Sequence, residues 1–92
     1  MAWFIKINLY KCLQDEEETP QAVLKAAQAI KQEIGTSFQA RICLGRAADT
    51  LVERTQKAVD SDLDYFEVCN VFNGHLSHIY DLADENRIWT HG

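Results

Sequence analysis

The chain has 92 residues, of which 47% are hydrophobic and 25% charged, and its net charge is −5. These are ordinary values for a folded protein, so we predict a single domain over residues 1–92 and exclude a disordered chain. Residues 1–46 carry six basic and five acidic side chains (+1) and residues 47–92 carry three basic and nine acidic ones (−6), which excludes a basic surface for direct binding of DNA or RNA.

The first predicted element is a β-strand over residues 3–10, because every second residue from Trp3 to Leu9 is apolar. Lys6 interrupts this apolar start, which therefore lacks the composition of a signal peptide, and no stretch is long enough to span a membrane. Cys12, Cys43 and Cys69 are odd in number and widely spaced, which favours reduced thiols over a disulfide framework. We therefore predict a cytoplasmic protein that is not associated with a membrane.

A helix is predicted over residues 20–34. Thr19 is a good N-cap, and Pro20 suits the first helical position because its missing N–H is not needed there. Gly35 is expected to adopt the left-handed conformation that ends many helices. The apolar residues recur at helical spacing: Val23, Ala26, Ala27, Ile30 and Ile34.

Residues 37–44 allow two interpretations. Phe38, Ala40, Ile42 and Leu44 alternate as in a strand, after which Gly45 would turn the chain into a second helix over residues 46–60. Alternatively, Thr36 and Gln39 resemble a capping box, which would start a longer helix and make residues 20–60 a helical hairpin. We prefer the strand, because Phe38 and Ile42 lie outside the apolar arc of such a helix.

A β-hairpin is predicted over residues 65–82. The pair Asn73-Gly74 stands between two segments rich in aromatic and β-branched residues, and these two residues tolerate the positive φ angles of a type I′ turn. A turn over residues 83–86 and a short last strand over residues 87–91 complete the chain. The predicted fold is therefore an α/β two-layer sandwich, with a mixed sheet of four or five strands and both helices on one face, in the order β-α-β-α-β-β-(β). The alternative order is β-α-α-β-β-β, with the helical hairpin.

The predicted hairpin register suggests one metal site. A two-residue turn at Asn73-Gly74 places Cys69 opposite His78 and Glu67 opposite Tyr80, and the last strand would add His91 and Trp89. Cys69, His78 and His91 would then form a row of possible zinc ligands. Ligands on a flat sheet point the same way and rarely close a tetrahedron, so we prefer no metal site and no cofactor.

Two functions are considered. Both faces of the hairpin are apolar, and a single layer of helices cannot cover both. We therefore predict a non-enzymatic protein-interaction module that forms a homodimer through its sheet, with an unidentified protein partner. Its contact residues would be Phe66, Phe72 and His75. Asp60, Asp62 and Asp64 could make it an accessory inhibitor or a nucleic-acid-mimicking decoy from a phage or mobile element. The alternative is a small-molecule-binding protein or minor enzyme with an aromatic groove lined by Glu67, His78, Tyr80 and Trp89.

Overall fold

The computed structural model describes residues 18–86, and these residues form three α-helices. The helices are α1 (Pro20–Gly35), α2 (Phe38–Asp60) and α3 (Tyr65–Asn86). Short connections at residues 36–37 and 61–64 make successive helices antiparallel, and α2 packs against both of the others. The predicted α/β sandwich is wrong, because 88% of the described residues are helical and none of them is in a strand. The strands predicted over residues 3–10 and 87–91 lie outside the described residues.

Helix α1 is confirmed, and so is the way it begins. The side chain of Thr19 accepts a hydrogen bond from the backbone N–H of Ala22 at 3.2 Å, and Pro20 occupies the first turn. The expected helix end is wrong, because Gly35 is the last helical residue and does not have a positive φ. Thr36 caps the helix instead, in a right-handed conformation with φ of −73°.

The strand predicted over residues 37–44 is wrong, and residues 20–60 form a helical hairpin. Ser37 is the N-cap of α2, since its Oγ accepts a hydrogen bond from the N–H of Ala40 at 3.5 Å. Ala40 and Leu44 are fully buried, four residues apart on the core side of the helix. The apparent alternation across this segment comes from Phe38 and Ile42, which are apolar but face water.

The hairpin predicted over residues 65–82 is also wrong, because this segment is the single helix α3. A type I′ turn needs positive φ angles at both Asn73 and Gly74, and neither residue has one. Both residues are exposed on the outer side of the helix. The buried residues of α3 follow spacings of four, four, three and four, which is the period of a helix: Val68, Phe72, Leu76, Ile79 and Ala83.

The turn between α2 and α3 is a Schellman motif. Asp62 has a φ of 62°, and its N–H donates to the carbonyl of Val59 at 3.0 Å, while the N–H of Leu63 donates to the carbonyl of Ala58 at 3.3 Å. Leu63 packs against the hydrophobic core, a contact that frequently accompanies this motif. The next helix begins at once, because Asp64 accepts a hydrogen bond from the N–H of Glu67 at 2.9 Å and so is the N-cap of α3.

The core lies along the axis where the three helices meet. Its largest fully buried residues come from all three helices: Ile30, Ile34, Leu44, Leu51, Thr55, Val68 and Ile79. Between them lie many alanines, whose small side chains allow the helices to approach closely. None of the three helices in the described part of the chain combines the length and hydropathy needed to cross a bilayer.

Candidate interaction surface

The first half of α2 carries apolar side chains on its outer side. Phe38 is 70% exposed and Ile42, one helical turn later, is 66% exposed. The guanidinium carbon of Arg41 lies 5.7 Å from the centre of the Phe38 ring, which is within the range of a cation–π contact. We refer to Phe38, Arg41 and Ile42 as the α2 patch.

A groove lies between α1 and α2, formed by residues close to this patch. Its volume is about 220 Å³, and Gly35 and Gly45 leave it open because neither has a side chain. The Lys31 Nζ and Asp49 Oδ1 atoms are 3.1 Å apart on its rim, in an exposed ion pair. We refer to it as the α1–α2 groove, and its lining residues are Lys31, Ile34, Gly35, Arg41, Gly45, Ala48 and Asp49.

A second, wider groove of about 450 Å³ lies on the other side of α2, against α3. Arg54 and Lys57 line it together with the apolar residues Leu63 and Val71, and neither cation forms an ion pair with another of residues 18–86. Ser61 also lines this groove, and its neighbours in the chain are the acidic residues Asp60 and Asp62. These carboxylates offset the positive potential, so the groove is not a strong anion site.

His75 joins α3 to α2. Its Nε2 is 3.0 Å from the carbonyl oxygen of Ala47, and because a carbonyl only accepts, the ring carries its proton on Nε2. Burial lowers the pKa of His75 below its usual 6.5, and the nearby charges of Arg54 and His78 lower it further, although the hydrogen bond to Ala47 opposes the shift. His75 was predicted to contact a partner, and in the structure it contributes to helix packing.

The other residues predicted for protein contact are scattered. Phe66 is 72% exposed and its ring lies 5.5 Å from that of Tyr65, whereas Phe72 is in the core. Asp62 adopts the positive φ of the α2–α3 turn, and Asp64 is the N-cap of α3. Asp60 accepts a hydrogen bond from Gln56 at 2.9 Å. These three acids do lie close together in the chain, and the decoy hypothesis stays a prediction.

The residues predicted to line a small-molecule groove do not converge. Glu67 and His78 are both exposed, but they are eleven residues apart on α3, which is about 16 Å along a helix. Tyr80 is half-buried on a different side of the same helix. Trp89 lies outside the described residues.

The row of metal ligands depended on strands that residues 65–82 do not form. Cys69 and His78 are nine residues apart on α3, which places them on opposite sides of the helix, about 13 Å apart along its axis. His91 lies outside the described residues. Among residues 18–86, no group of three histidine, cysteine or acidic side chains could hold a metal ion.

Sequence reasoning did not identify the α2 patch. The predicted strand included Phe38 and Ile42 because they alternate with polar residues and lie outside the apolar arc of a helix. The signal that could have identified them is the Ser37 cap followed by small or apolar residues at helical spacing, Ala40, Leu44 and Ala47. With that helix in place, both residues must face outward.

The architecture is thus a three-helix bundle with an exposed apolar patch beside a shallow groove. When the chain is compared with known proteins, no protein-family model, no curated protein and no solved structure matches it. The function must therefore be argued from the surface of this chain.

Proposed function

We propose that the protein is a small helical interaction module that binds a protein partner through the α2 patch. The observation that supports this most directly is the exposure of Phe38 and Ile42, side by side on one helix, while most other large apolar side chains of residues 18–86 are at least partly buried. An exposed aromatic ring with an arginine against it is the composition typical of the residues that contribute most to protein–protein binding.

The rigidity of the surroundings also supports this proposal. The patch lies in the first two turns of a 23-residue helix whose opposite side is fully buried at Ala40 and Leu44. A patch held on a packed helix loses little conformational entropy when it binds, which favours affinity. The module acts by contact and not by catalysis, and we place it in the cytoplasm because its three widely spaced cysteines favour reduced thiols.

The proposal is tested by capturing partners from a lysate of the native host with tagged protein. Three forms are compared: the wild type, the double variant Phe38→Ala/Ile42→Ala, and Phe66→Ala. Phe66 is the matched control, because it is an equally exposed phenylalanine at the opposite end of the bundle.

We expect at least one protein, which can be the chain itself under a second tag, to be retained by the wild type and by Phe66→Ala but not by the double variant. Circular dichroism should show that all three forms are equally helical, because none of the substituted side chains belongs to the core. Equal capture by all three forms would refute the proposal.

A further inference from the structure

We propose that the α2 patch binds a second copy of the same chain, with Phe38 of each copy inserted into the α1–α2 groove of the other. This inference depends on the proposed function, because both use the same patch. It adds the identity of the partner and the way the two surfaces fit together. The resulting dimer has a two-fold axis that passes near Ile42, where α2 crosses α2 of the second copy.

The positions along α2 are consistent with such an axis. In an antiparallel pair of identical helices, residues at equal distances on either side of the axis face each other. Phe38 and Gly45 are seven residues apart, and the point midway between them lies just before Ile42. These three residues lie within an arc of about 60° on the outer side of α2. A two-fold axis at that midpoint, between Arg41 and Ile42, therefore places Phe38 of one copy over Gly45 of the other.

The groove is large enough for the ring that would enter it. Apolar cavities of about 150 Å³ accept a benzene molecule, and the α1–α2 groove has a volume of about 220 Å³. Ile34 and Ala48 provide apolar walls for the ring. The Lys31–Asp49 ion pair on the rim is neutral overall, so it presents no net charge to the incoming side chain.

Gly45 supports the inference independently of the volume. Glycine in the interior of a helix is less favourable than alanine. Gly45 does not have a positive φ, and a Cβ added there would meet no atom within 4 Å. Neither the backbone nor the packing of residues 18–86 therefore requires a glycine at this position, whereas close approach of a second helix does.

The distribution of charge permits the contact. Each copy carries a net charge of −5, but the acidic residues of the α2–α3 turn lie at the far end of α2. Asp60 is 18 residues from Ile42, or about 27 Å along the helix. This distance exceeds the Debye length of about 8 Å at physiological ionic strength, so repulsion between the two acidic ends is screened.

The contact is small, which determines the affinity that we expect. A phenylalanine buries about 150–250 Å² when it is covered completely. The two Phe38 rings together therefore bury only about 300–500 Å² of their own surface, which points to an interface at the small end of the known range. We therefore expect a weak dimer whose population depends on the protein concentration, as is typical of small, transient interfaces.

Sedimentation equilibrium of the purified protein between 5 and 500 µM measures this association. Two variants remove the two halves of the contact: Phe38→Ala removes the inserted ring, and Gly45→Leu fills the groove. Phe38 is exposed, and a Cβ added at position 45 meets no atom of residues 18–86 within 4 Å, so both variants should fold, and circular dichroism with thermal melting verifies this. We expect each variant to weaken dimerisation at least tenfold, and Phe66→Ala to leave it unchanged.

A mixture of the two variants gives the sharpest test. Phe38→Ala retains an open groove and Gly45→Leu retains its ring, so a heterodimer of the two restores one of the two ring-in-groove contacts. Neither variant can make this contact with itself. Native mass spectrometry separates the species by mass. In a 1:1 mixture, random pairing gives twice as much heterodimer as either homodimer, and we expect the heterodimer to exceed that ratio. A mixture without excess heterodimer, or a Gly45→Leu variant that dimerises like the wild type, would overturn the inference.

The remaining outcomes distinguish the two proposals. If the purified wild type stays monomeric up to 500 µM but partner capture still depends on Phe38 and Ile42, the patch binds a different protein, and only the dimer is refuted. A third outcome is that the Phe38→Ala variant is monomeric, unfolds more easily than the wild type and captures the same proteins as the wild type. In that case another segment of the same chain covers the patch. Both proposals are then refuted.

Discussion

Replacing Thr55 by valine is expected to stabilise the protein. Thr55 is 0% exposed, and its Oγ1 has no hydrogen-bond partner among the described residues. A buried hydroxyl without a partner costs about 1–3 kcal/mol in mutational data, because it has lost its hydrogen bonds to water. Valine replaces the hydroxyl with a methyl group of similar size, and the two residues are both β-branched and have similar helix propensities. We therefore expect the free energy of unfolding to rise by about 1–2 kcal/mol.

Thr50→Val is a matched control, since Thr50 lies on the same helix. It is partly exposed, and its Oγ1 donates a hydrogen bond to the carbonyl of Arg46 at 3.0 Å. The same chemical change at this position should alter stability by less than about 0.5 kcal/mol, as surface substitutions usually do. The comparison separates the effect of the buried hydroxyl from any general effect of valine on α2.

Urea unfolding followed by circular dichroism measures the difference. Thr55→Val should raise the midpoint without changing the dependence on denaturant, since unfolding exposes nearly the same additional surface in the variant as in the wild type. In a thermal melt, each increase of about 1 kcal/mol in the free energy of unfolding should raise Tm by about 4–8 °C for a domain of this size. If Thr55→Val is less stable than the wild type, or changes stability no more than Thr50→Val, then the hydroxyl has a partner and the reasoning fails.

Three further predictions follow from the helices and the turn. Gly74→Ala should stabilise α3 by about 0.5–1 kcal/mol, because Gly74 is exposed in a helix interior and a Cβ there meets no atom, whereas in a type I′ hairpin the same change would be destabilising. Asp64→Ala should lower the free energy of unfolding by about 1 kcal/mol through loss of the α3 N-cap, and Asp64→Asn should retain most of it. Burial lowers the pKa of His75 in the folded state, so below pH 6.5 the unfolded state binds more protons than the folded state. The free energy of unfolding should therefore fall as the pH drops from 6.5 through that lowered pKa. In urea titrations at several pH values, His75→Gln should reduce this dependence on pH. The first argument is contradicted if Gly74→Ala destabilises the protein, and the second if Asp64→Ala leaves the stability unchanged. The third is contradicted if the wild type and His75→Gln depend equally on pH.

The start of α1 could be predicted from the sequence because its signals are local. A capping threonine, a proline in the first turn and apolar residues at one consistent spacing all favour the same structure. Each of these signals acts within a few residues, so no knowledge of the tertiary packing is needed. The end of this helix was less certain, because a glycine permits a left-handed conformation but does not require it.

Helix α3 could not be predicted in the same way, because its signals conflict. Asn73-Gly74 is the strongest local signal for a hairpin, and the aromatic and β-branched residues on both sides have high strand propensity. The opposing signal is the spacing of buried residues from Val68 to Ala83, which becomes decisive only when it is followed through all 22 residues. Packing of that long apolar side against α1 and α2 outweighs the local preference of a two-residue turn.

The incorrect strand over residues 37–44 and the missed α2 patch have the same cause. Both interpretations assumed that a large apolar side chain is a buried one, which is true of the core but not of a binding surface. If Phe38 and Ile42 are treated as exposed, the remaining buried residues, Ala40 and Leu44, follow the helical period. The alternation that predicted a strand is then absent. Phe38 and Ile42 are therefore not needed to form the helix or to fill the core of the described residues. Exposed apolar side chains that neither form the helix nor fill the core are typical of contact surfaces, which is why the proposed function is based on them.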